Sequence, residues 1–164
     1  MRWHRYCVPH TLIGRYKYME SPMKKVLFVL FFICAATVVK GNQMKSIPGK
    51  AITAAQLEEM FENIRHNTNW ELSKPMLWGY FFTHNEPTKL DEVSSKLERQ
   101  GYTIVGIFQA DKESQIDEDI FFLHVEKVET HDVSSLDKRN DELYLFASQE
   151  NIDSYDGMDI GPVK

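Results

Sequence analysis

Between Met76 and Met158 the chain interleaves four short β-prone runs with two amphipathic stretches, in the order β-α-β-β-α-β. No other feature narrows its possible folds as much. The runs are Met76 to Thr83, Tyr102 to Ala110, Ile120 to Glu129 and roughly Ser154 to Met158. The first three are rich in aromatic and β-branched side chains, which suit a pleated surface. The helical stretch after the first run opens at Thr88 and carries Leu90, Val93 and Leu97 on one face. Gly101 ends it at the left-handed position that follows many helices. The next is capped by Asp132 or Ser134 and turns Leu136, Leu143, Phe146 and Ala147 inward. Before all of these, Thr53 and Gln56 have the spacing of a capping box, and Leu57, Met60, Phe61 and Ile64 recur at helical intervals to about His66.

The order predicts an α+β, ferredoxin-like βαββαβ sandwich: a four-stranded antiparallel sheet with an extra N-terminal helix. Right-handed crossovers put the two connecting helices on one side of the sheet. The other side is open unless the N-terminal helix lies over it. Strand side chains alternate, so Trp78, Tyr80 and Phe82 share one face, and Leu77, Phe81 and Thr83 the other. In the third strand Phe121, Leu123 and Val125 oppose Phe122, His124 and Glu126. The purely apolar row belongs under the helices, which puts His124 and Glu126 on the second face, with Trp78, Tyr80 and Phe82 expected beside them. Such an aromatic patch suits a protein contact. The competing expectation is that the first helix covers these rings as a second core layer.

Charge is unevenly distributed. Residues 1–41 hold seven of the 19 basic residues and one acid, Glu20; the remainder carries 12 basic and 23 acidic side chains, a charge of −11. That field repels phosphate, so no direct nucleic-acid binding is expected, and it favours a basic protein partner. The third strand also lacks the basic-glycine-aromatic signature of RNA-binding sheets. The two cysteines, Cys7 and Cys34, precede the domain, which therefore has no internal disulfide.

The length suits one domain with an N-terminal tail. Residues 1–22 read as neither element nor signal, which points to translation starting at Met23. Residues 23–41 read as a signal peptide or short membrane anchor: Lys24 and Lys25 precede an apolar run from Val26 to Val39, with a possible cut after Gly41. Export, or membrane attachment through residues 26–39, follows if that segment acts as a signal, and a cytoplasmic protein if it does not. Residues 42–52 are expected to form a linker and 53–164 the domain.

Catalytic constellations are sparse. His124 and Glu126, with Asp156 or Asp159, are the strongest grouping and would suit a small metal-dependent hydrolase. Spacing of this kind is common by chance, and the acidic loop from Asp111 to Asp119 lacks the glycine and closing glutamate of a calcium hand. No nucleophile elbow or phosphate-cradling glycine loop is present, so no catalytic residue, metal or cofactor is expected.

Several strings resemble one bacterial family: Trp70 with Pro75 to Phe82, Gly101 to Phe108, Leu123 to His131, Leu136 with Arg139 and Asn140, and Ser154 to Pro162. They are similar to domains of the regulator of ribonuclease activity B (RraB) family over about residues 53–163. The resemblance implies a ferredoxin-like fold and a non-enzymatic protein whose founding member binds and inhibits ribonuclease E. A protein partner would then meet Trp78, Tyr80, Phe82, His124 and Glu126 on the sheet face described above, and the resemblance adds Tyr155, Asp156, Met158 and Asp159. Gly157 and its flanking aspartates equally suit a turn or bulge.

Overall fold

Local hydrogen bonds set the helix ends. The structure, a computed structural model, describes residues 46–111 and 118–163. Thr53 caps α1 (Ala54–Asn67): its hydroxyl accepts the Gln56 N–H at 3.3 Å, and the Gln56 side chain accepts the Thr53 N–H at 2.8 Å. Pro87 starts α2 (Pro87–Arg99), where its missing N–H costs nothing. Gly101, at φ +84°, closes that helix as its N–H donates to the Glu98 carbonyl and the Tyr102 N–H reaches back to Leu97. Asp132 caps α3 (Val133–Glu150) in a reciprocal pair with Ser135.

The strands are β1 (Met76–His84), β2 (Thr103–Gln109), β3 (Phe121–Glu129) and β4 (Ser154–Pro162). They form one sheet in the order β2-β3-β1-β4, every neighbouring pair antiparallel. This is the expected α+β, ferredoxin-like arrangement. β4 runs on to Pro162, past the expected end at Met158, because its pairing with β1 overrides its weak local preference.

Helix α2 packs on β2, β3 and β1, and α3 on β4. The N-terminal helix rests against α3 and brings Phe61 to 6.3 Å from the Trp78 ring, so it joins the same helical layer. Leu57, Phe61, Leu90, Leu97, Leu136, Leu123 and Val125 fill the space between that layer and the sheet.

The expected linker is partly domain. Ile52 is buried and donates its N–H to the Tyr144 hydroxyl at 3.2 Å, while Lys50 bridges Asp137 and Asp141 of α3. Composition suggested a linker because Pro48 and Gly49 interrupt any period, but a short strap can be ordered by its contacts alone. The expectations for residues 1–41, and most of those for the loop between Asp111 and Asp119, lie outside the described residues.

Candidate protein-docking face

Register decides which rows share a face. Tyr80 lies opposite Val125 and Phe82 opposite Leu123, whereas Phe81 lies opposite His124 and Gly79 opposite Glu126. On the other flank Tyr80 pairs with Met158 and Gly79 with Asp159. Directly opposed residues project to the same side. Trp78, Tyr80 and Phe82 therefore point into the helical layer and are 1%, 0% and 0% exposed. They do not sit beside His124 and Glu126 as expected. Tyr155 and Met158 point the same way and are equally buried. These five form core, with Tyr155 packed on Tyr144, Phe82 and Tyr80.

The cause lies in β1 itself. Both of its rows are apolar, so alternation shows that two rows exist without showing which is covered, and a shift of one residue exchanges them. The first helix covers neither arrangement of the open side, since it belongs to the opposite layer.

Among the described residues, no helix lies over the face that carries Phe81, Phe122, His124, Glu126 and Asp159. Its rings form a continuous row across three strands. His124 stacks on Phe81 at 4.5 Å, Phe122 meets Phe81 edge-on at 6.4 Å, and Phe108 stacks on Phe122 at 5.5 Å. Apolar margins surround the row: Phe108 is 44% exposed, Val105 45% and Val128 50%. Val105 is the extra residue where β2 slips register against β3, which turns its side chain outward.

Gly79 makes room in this face for two buried side chains, His124 and Asp159, each 6% exposed. A Cβ placed there would come within 2.2 Å of Asp159 Oδ1 and 2.8 Å of His124 Nε2, so both side chains lean over the β1 backbone into space that only glycine leaves. His124 Nε2 also lies 3.7 Å from Glu126 Oε1. The sequence grouping of His124, Glu126 and Asp159 is therefore brought together. Asp156 is not in that row: a bulge between the Phe81 and Phe82 pairings inserts it into β4, and Gly157 beside it has φ +122°. The cluster lies on a sheet surface, and among the described residues no group of three His, Cys, Asp or Glu side chains is placed to hold a metal ion.

Two cavities lie elsewhere. One of 290 Å³ sits between the Pro48–Gly49 strap and the end of α3. The other, of 420 Å³, is lined by Phe61, Arg65, Trp70 and His131. Neither gathers the His124 cluster.

A second polar group went unread in the sequence. At the end of β3, Glu129 accepts hydrogen bonds from the Tyr80 hydroxyl at 2.9 Å and from Arg139 at 2.6 Å, and lies 3.2 Å from His131 Nε2. Burial alone would raise its carboxyl, but the bonds from His131 and Tyr80 and the Arg139 charge outweigh it and hold the pKa at about 2. Burial, and then the Glu129 charge, push the Tyr80 phenol far above its ordinary range. These groups tie β3 to α3, while the buried Arg139 Nε has no hydrogen-bond partner among the described residues. The available signal was Arg139, a cation three residues from Leu136 on a face that otherwise turns inward.

No curated protein and no solved structure matches the chain. A family model does: it spans residues 54–160, from the start of α1 almost to the end of β4, and describes a regulator of ribonuclease activity. With the order of elements, the bulged Tyr155-to-Asp159 string and the Glu129–Arg139 pairing all inside that span, the chain belongs to the RraB family, regulator of ribonuclease activity B.

Proposed function

We propose that this domain is a non-catalytic regulator that works by docking on a protein, in the manner of RraB-type inhibitors of ribonuclease E. Family membership supports a regulatory, ribonuclease-related protein contact. The observation that carries the reading to this chain is the aromatic row on the face that no described helix covers, with Phe108, Val105 and Val128 44%, 45% and 50% exposed along it. On that face His124 and Asp159 are each 6% exposed, so neither is presented to a substrate.

The test mixes the purified full chain with ribonuclease E from the same organism. A stoichiometric complex on size exclusion is expected, together with slower cleavage of an RNA substrate in proportion to the chain added. Absence of both overturns the reading. A second reading is favoured by the apolar run from Val26 to Val39 behind Lys24 and Lys25: an exported or envelope-associated domain with another protein partner and no ribonuclease role. N-terminal sequencing of the native protein, with its compartment, separates the two, since a mature chain beginning near Asn42 outside the cytoplasm excludes ribonuclease E.

A further inference from the structure

We infer that the outer edge of β2 accepts an extended segment of a protein partner as an added strand, one whose residues alternate apolar and basic. This deepens the reading of the domain as a protein-binding regulator and rests on it.

The backbone supplies the first argument. β2 ends the sheet, and among the described residues no strand lies beyond it. The Ala110 N–H donates to the Ile120 carbonyl at 2.8 Å, and the ladder runs on through Phe108 opposite Phe122 and Gly106 opposite His124. Bonded and non-bonded pairs alternate along an antiparallel ladder, so Phe108 and Gly106 direct their N–H and C=O groups to β3. Ile107 and Gln109 turn theirs outward. The register slip at Val105 leaves Gly106 to Gln109 unbroken.

Exposed edges usually carry a device against pairing. The opposite edge, β4, has two: the bulge that inserts Asp156, and the closing Pro162. β2 reads Thr-Ile-Val-Gly-Ile-Phe-Gln, with neither a charge nor a proline. A strand is the element whose own N–H and C=O groups match that outward row.

Side chains select which strand. On the open side the edge is bordered by Phe108 and Val105, 44% and 45% exposed, so apolar residues fit there. On the other side lies α2, which packs on β2 and β3. Lys89 and Lys96 occupy one flank of that helix, and Lys96 pairs with Glu150 of α3. Asp91 and Glu98, both exposed, fall on the opposite flank at the helical repeat, which turns them toward the β2 edge. A lysine or arginine of the added strand lays its stem along Ile107 and brings its charge to them. A second copy of the chain would instead set these carboxylates against their own kind.

The experiment uses fluorescence anisotropy with the full chain and two synthetic peptides of about nine residues. One alternates valine with lysine, the other valine with glutamate. The lysine peptide is expected to bind at least about tenfold more tightly. A third peptide keeps every lysine and has its inner valines replaced by proline, which preserves charge and removes the strand. It should bind at least about tenfold more weakly than the first, whereas attraction to the −11 charge of residues 42–164 alone would hold both equally. Asp91→Asn with Glu98→Gln should reduce the preference for lysine over glutamate to below about threefold. Gln109→Pro, at an exposed position, removes an outward N–H and should weaken binding severalfold. In the wild-type chain, the lysine peptide should slow hydrogen exchange at the Ile107 and Gln109 amides by at least about tenfold.

Equal binding of the lysine and glutamate peptides, undiminished binding of the proline peptide, or unprotected Ile107 and Gln109 amides in the complex overturns the inference. A chain that binds ribonuclease E but holds the three peptides equally loses this strand site and keeps the regulatory reading. A chain that takes the lysine peptide on β2 but does not bind ribonuclease E does the reverse.

Discussion

Tyr155→Ala should cost about 4 kcal/mol of stability, the largest loss expected from a single substitution here. The ring is 1% exposed and packs edge-on to Tyr144 at 5.0 Å, with Phe82 at 5.4 Å. Its hydroxyl donates to Asn140 Oδ1 at 2.8 Å, and Asn140 itself is fully buried. Alanine would leave a cavity between β4 and α3 and strip the buried amide of that donor. Tyr155→Phe isolates the second effect and should cost about 1–2 kcal/mol. Chemical denaturation of the three proteins measures both. For a domain of this size each kcal/mol moves the thermal midpoint by about 3–5 °C, so the alanine variant should unfold well below the wild type. Losses that are equal for alanine and phenylalanine would contradict the packing described.

The second large effect is acid sensitivity through Glu129. Its carboxyl titrates at about 2 in the fold against an ordinary value of 4.5. A folded value below the unfolded one means the unfolded chain binds the proton more readily. The stabilisation is therefore complete above pH 4.5 and is lost as pH falls from there through about 2. The shift corresponds to about 3 kcal/mol. Glu129→Gln should cost a similar amount at pH 7, because Arg139 and His131 keep their places with no carboxylate between them. Denaturation midpoints of wild type and E129Q followed from pH 7 to pH 2 should converge as the acid limit is approached. Parallel curves would show that Glu129 does not carry the acid response.

Much of the architecture is legible in the sequence. Thr53, Asp132 and Gly101 are local signals whose hydrogen bonds form within a few residues, so they act alike in any fold. The βαββαβ order then leaves few topologies. What escaped was decided over longer range. Which row of β1 faces the helices depends on pairing with residues more than 40 positions away, and Trp78, Tyr80 and Phe82 are as apolar as Leu77 and Phe81. β4 was cut short because its glycines and aspartates favour turns locally. Its edge position beside β1 nevertheless supplies a full ladder.

The candidate site divided in the same way. His124, Glu126 and Asp159 stand out by residue type, and they do come together, because Gly79 has no side chain and leaves room for His124 and Asp159. Phe81, Phe108 and Phe122 carry no signal of a site in the sequence, because alternation does not distinguish an exposed aromatic row from a buried one. The Glu129–Arg139 pairing was missed because the two are ten residues apart on different elements, joined only when Asp132 turns the chain back along the sheet.

The face opposite the helices is the proposed working surface, and side-chain NMR can locate a bound partner directly. With the full chain labelled at phenylalanine rings and valine and leucine methyls, ribonuclease E is titrated in. Shifts are expected at Leu77, Phe81, Phe108, Phe122, Val105 and Val128, with the exposed Leu145 methyls on the helical layer unmoved. Shifts gathered instead around Leu145, or around the cavity beside Trp70, would contradict it.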